Sequence, residues 1–176
     1  MNRLLIAIAF LLGFNLSVLA EEGSVDEKSA LKYSEDVGLL LFNAVTNGAP
    51  IEAQLVEAAK SKITEFCDFQ YQSTQISIAG QPTLFFLAKS PIEGSIVFGR
   101  HYKVAGATVT PSTVSCFATQ PGPPGAAGAF ITHLLSPYPT EFHAFLSLLH
   151  KTPIFVGTSK GVWQVDNGKI SLVQAR

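Results

Sequence analysis

The amino-acid sequence predicts an α+β fold: an N-terminal helical hairpin, an antiparallel sheet of about four strands, one later helix and a C-terminal β-meander, all sharing one core. Three observations predict it. Apolar residues recur at helical spacing from Leu31 to Phe66, the period changes to two from Cys67 onward, and an Asn-Gly pair divides apolar alternations near the C-terminus. Helices segregated to one face of a sheet are the layer arrangement that this order favours.

The opening residues read as a leader. Asn2 and Arg3 precede the apolar run Leu4 to Phe14, and Val18, Leu19 and Ala20 end it before Glu21 and Glu22. That order is a signal peptide over residues 1–20, cut after Ala20, because the apolar run falls short of the roughly 20 residues that span a bilayer. Residues 21–176 are then expected to form a single globular domain of an exported protein.

The first helix is expected over Asp26 to Asn47, with Leu31, Val37, Leu40, Leu41, Ala44 and Val45 as its stripe and Asn47-Gly48 as its left-handed stop. Pro50 opens a second helix reaching Phe66, in which Ile51, Leu55, Ala58, Ala59, Ile63 and Phe66 share a face. The two helices are expected to pair through one apolar seam.

Strands follow at Phe69 to Thr74, Thr83 to Ala88, Ser95 to Val104 and Thr113 to Ala118, punctuated by Gly80-Gln81-Pro82, Pro91 to Gly94 and Gly106 to Pro111. Short strands with short turns pair antiparallel. Cys67 and Cys116 are the only cysteines, and in an exported chain each has one possible partner, which predicts a disulfide.

Residues 120–139 read as a Gly/Pro-rich loop inside the domain. Gly122, Gly125 and Gly128 recur every third position, but two triplets cannot build a collagen helix. Phe130 to Leu135 is a short strand candidate before Pro137 and Pro139. Thr140 caps a third helix, with Glu141 in its first turn, Phe142, Phe145, Leu146 and Leu149 on its apolar face, and His150 near its end. Three strands complete the chain at Pro153 to Thr158, Val162 to Val165 and Lys169 to Val173, the last two joined by Asp166-Asn167-Gly168. The stretch 156–170 resembles one hairpin of a β-propeller blade, yet a propeller needs at least four blades and the chain has no internal repeat.

Composition bounds the function. Hydrophobic residues make up 47% of the chain and charged ones 14%, the reverse of a disordered sequence. A net charge of −1 lacks the dense Lys/Arg footprint of a nucleic-acid binder. Charge is uneven: Glu21 to Asp68 holds ten acids and four bases, whereas Phe69 to Arg176 holds three acids and seven bases.

Motifs of nucleophilic, phosphate-binding, dinucleotide and zinc-protease chemistry are missing from the sequence, so no cofactor and no metal are expected. His143, His133 and Glu141 are the weak catalytic candidates. A hydrolase would pair one of the histidines with a nearby hydroxyl such as Ser136 or Thr140, and Glu141 would orient the base. The favoured alternative is a non-catalytic exported binding module, periplasmic by preference, of the inhibitor, immunity or assembly kind, whose partner is an envelope or extracellular protein. In that reading Tyr138, braced between two prolines, and His133 are the contact anchors, and the loop 120–139 is the recognition surface. No nucleic acid is expected to bind, and membrane contact is confined to the leader before its cleavage.

Overall fold

A computed structural model describes residues 26–48, 50–119, 123 and 126–176. The expected leader (1–20) and part of the expected loop (120–122, 124 and 125) lie outside the described residues. The fold is α+β, with three helices and two four-stranded sheets among the described residues: α1 Glu27–Asn47, α2 Ala53–Lys60, β1 Gln70–Ile78, β2 Gln81–Lys89, β3 Tyr102–Ala105, β4 Thr108–Pro111, β5 Ala129–Thr132, α3 Glu141–His150, β6 Ile154–Gly157, β7 Gly161–Asp166 and β8 Lys169–Ala175. The first sheet runs β1-β2-β3-β4, entirely antiparallel. In the second, β6, β7 and β8 form the antiparallel meander, and β5 joins it parallel to β6 through the α3 crossover.

The two N-terminal helices do not share a seam. On α1 the buried stripe is Ser34, Val37, Gly38 and Leu41, at i, i+3, i+4 and i+7, and it faces α3. Gly38 makes that approach possible, because a Cβ there would lie 2.5 Å from the Cβ of Ala144 and 3.0 Å from the carbonyl oxygen of Glu141. Leu40, expected in the stripe, is instead 47% exposed. Asp26 caps α1 through its carboxylate, which accepts the Ser29 N–H at 3.3 Å, and Gly48 ends it in the left-handed conformation. Only Ala53–Lys60 of the expected second helix is helical; the chain then turns, and Ile63 and Phe66 pack on from the turn and the segment after it.

Alternation along β2 explains the separation of the helices. Phe85 and Leu87 point into a large core with α1, α3 and the second sheet, whereas Leu84 and Phe86 point the other way, toward Ala59, Ile63, Tyr102 and Val104. Every residue from Thr83 to Ala88 is buried, so both faces of this strand are covered. The layers are therefore α2, the first sheet, the α1/α3 pair and the second sheet.

Cys67 and Cys116 are disulfide-bonded, with Cα atoms 5.7 Å apart and a sequence separation of 49. Cys116 does not lie in a fourth strand as expected. Residues 95–101 and 112–119 form strapping segments held by the single bridge Val97–Ala118, and by Phe98 and Gly99 N–H groups that both donate to the Phe117 carbonyl. Side-chain hydroxyls replace a ladder elsewhere: Ser112 accepts the His101 N–H and Thr113 accepts that of Arg100. β4 occupies the stretch read as a turn between Gly106 and Pro111.

Candidate functional site

The expected catalytic residues converge. Beyond β5 the chain stays extended through His133, whose N–H donates to the Gly157 carbonyl at 2.8 Å and continues the parallel pairing. The alternation Phe130 out, Ile131 in, Thr132 out then places His133 inward. From α3, His143 meets it with ring centroids 4.9 Å apart, edge to face. Glu141, two residues earlier in the same first turn, receives the Lys103 ammonium at 2.5 Å. Lys103 projects from β3 on the Phe85 side of the first sheet, so this ion pair fastens the sheet to the start of α3.

These groups lie in the core. His133 is 2% exposed, His143 3% and Glu141 5%. Nδ1 of His143 accepts the Thr140 N–H at 3.0 Å and lies 3.1 Å from the Thr140 hydroxyl, a capping box in which histidine stands where Glu or Gln is usual. With Nδ1 accepting, the proton of the neutral ring sits on Nε2. Burial, with repulsion from His133 and His101, pushes the His143 pKa down to about 3. A base so weak is poorly matched to proton abstraction near neutral pH. Burial also holds His133 below its ordinary value, against the opposing charge of Glu141. Neither ring nitrogen of His133 has a hydrogen-bond partner among the described residues.

His101 lies deeper still. Its Nδ1 accepts the Ala88 N–H at 2.9 Å, its Nε2–H donates to the Val97 carbonyl at 2.8 Å, and its ring stacks on Phe142. Burial first of all pushes its pKa down to about 4. Of the expected nucleophiles, Thr140 has its hydroxyl beside His143 Nδ1, and Ser136 accepts the Tyr138 N–H at 3.1 Å. Among the described residues no group of three or more His, Cys, Asp and Glu is arranged to hold a metal ion.

The contact anchors read from the sequence are placed differently. His133 is buried and offers no surface to a partner, and Tyr138 is half-buried, its ring edge-on to Trp163 with centroids 5.8 Å apart. Trp163 is itself fixed by its indole N–H, which donates to the Thr158 hydroxyl at 3.0 Å.

What the same segment does expose is apolar. Phe130 is 60% exposed, Leu134 78% and Leu135 48%, all at or just beyond β5, whose side away from β6 pairs with no strand among the described residues. On the outer face of the second sheet Phe130 lies beside Phe155, which lies beside Gln164. The parity of Phe130-Ile131-Thr132-His133-Leu134 was the available signal, since it sends the first and last of these to the face opposite Ile131. No helix of the described residues is long and apolar enough to cross a membrane. No protein-family model, curated protein sequence or solved structure matches the chain.

Proposed function

We propose that the protein is an exported binding module that acts by contact rather than catalysis, as inhibitor, immunity and assembly proteins do. The observation that carries the reading is the exposed apolar segment of Phe130, Leu134 and Leu135 on the unpaired side of β5. Large apolar side chains grouped at a free sheet edge offer both main-chain pairing and side-chain anchors to a second protein. The disulfide is compatible with an oxidising compartment, and the leader-like start favours the periplasm. A hydrolase built on His143 or His133 has less support, because both rings are buried and His143 caps its own helix.

The test is affinity capture of an envelope protein by purified wild-type protein, with Phe130→Asp and Leu134→Asp alongside. Both positions are exposed, so the variants should keep the wild-type melting temperature while capture falls about tenfold or more, as for removal of interface anchors. Wild-type capture by both folded variants would overturn the assignment of this edge.

A further inference from the structure

A second feature of the fold uses none of the β5-edge residues Phe130, Leu134 and Leu135. A cavity of about 340 Å³ opens between the end of β2, the loop 90–95 and the C-terminal half of α3. Its volume lies within the range of roughly 300–1,000 Å³ that holds small organic ligands. Buried Leu87, Val97, Phe145 and Leu146 form its floor, and half-exposed Ile92 and Leu149 form an apolar rim.

Among the polar groups in the wall, Ser90 is engaged, its hydroxyl accepting the Ile92 N–H at 3.0 Å, and two others are not. Ser95 is 5% exposed and its buried Oγ has no hydrogen-bond partner among the described residues. The His150 ring makes no hydrogen bond among the described residues, although α3 presents it to the same cavity. A buried hydroxyl without a partner costs free energy that a bound acceptor or donor would recover. Lys89 and Glu93 also line the cavity, and neither forms an ion pair among the described residues. Their opposite charges leave no excess of either sign in the wall, and the apolar floor penalises a buried charge.

We infer that this cavity binds an uncharged, mainly aliphatic small molecule carrying one hydroxyl or carbonyl group, with the tail against Leu87, Val97, Phe145 and Leu146 and the polar head toward Ser95 and His150. Burial keeps the His150 ring below its ordinary pKa, and the neutral ring has one donor and one acceptor nitrogen for such a head.

The experiment titrates the isotope-labelled protein with 1-decanol, and separately with decanoate at pH 8, following backbone amide shifts. Saturable shifts from decanol should centre on residues 92–97 and 145–150, and decanoate, whose charge must be desolvated, should bind about tenfold more weakly. Ser95→Ala should weaken decanol binding about fivefold, the loss expected of one hydrogen bond. Leu149→Trp, at a residue exposed enough to accept the larger ring, should close the rim and abolish the shifts. Absence of saturable shifts in those two segments overturns the inference. Equal affinity for decanoate overturns the uncharged head, and undiminished binding by the folded Leu149→Trp protein overturns the location.

Discussion

At the scale of single residues, the histidines are the groups most altered by folding. His101 and His143 have pKa values pushed down to about 4 and about 3, and those of His133 and His150 are lowered too, in every case chiefly by burial. Well above pH 6.5 both the folded and unfolded rings are neutral, so proton uptake takes no stability there. As pH falls below the unfolded value the unfolded chain takes up protons that the folded rings refuse, and stability drains away until the folded values are reached. Each such ring contributes a slope of up to about 1.4 kcal/mol per pH unit. Urea midpoints should therefore hold steady from pH 8 to 7 and drop between pH 6.5 and 4.5. His133→Phe, which removes a buried ring with two unpartnered nitrogens, should flatten that drop. Equal midpoints at pH 7 and pH 4.5 would show that these rings are not held in the core.

At the scale of elements, the sequence was informative wherever a local rule had no competitor. Asn167 and Gly168 both have positive φ, as their hairpin requires, and Gly168 is held against α3 by its N–H, which donates to the Ser147 hydroxyl at 2.9 Å. Thr140 begins α3 and Gly48 follows α1 for equally local reasons. What sequence could not supply was the choice of partner for a helix. α1 carries two possible stripes, and the one it buries contains Ser34 and Gly38, residues that hydrophobicity passes over because their value lies in being small. The candidate site suffered in the same way: proximity of His133, Glu141 and His143 was foreseeable, but whether they meet in solvent or in the core depends on which face of β5 the second sheet buries. Gly38 offers a direct check of the helix pairing. In an exposed helix Gly→Ala stabilises by about 1 kcal/mol. Here the added methyl would collide with Ala144 and the α3 backbone, so Gly38→Ala should instead lower unfolding stability by about 2 kcal/mol in urea melts.

At the scale of the whole molecule, long-range ties connect segments far apart in sequence. Glu35 on α1 accepts the Ile170 N–H at 2.8 Å and the Lys169 ammonium at 2.9 Å, which binds the first helix to the last strand. Lys103 and Glu141 join the first sheet to α3. The disulfide differs from both, because each cysteine flanks the first sheet: Cys67 precedes β1 and Cys116 follows β4. Its 49-residue separation predicts a loss of about 4 kcal/mol on reduction or in Cys67→Ser/Cys116→Ser, read as a lowered urea midpoint. An unchanged midpoint would mean that the unfolded chain is already constrained without it.

The position of that covalent link also bears on the order in which the chain can mature as it is made. Once residue 116 has emerged, the first sheet and α2 have everything needed to close and oxidise, and the Leu84–Phe86 face can be covered at once. The Phe85–Leu87 face cannot, because much of its cover is α3 and the strands after it. A chain synthesised only that far has the residues to cover one face of its sheet, while the other, including Phe85 and Leu87, still lacks much of its cover. α1 is synthesised first but seated late, since the helix it packs against begins more than 90 residues after α1 ends. The last of that cover includes the close approach of Ala144 to Gly38.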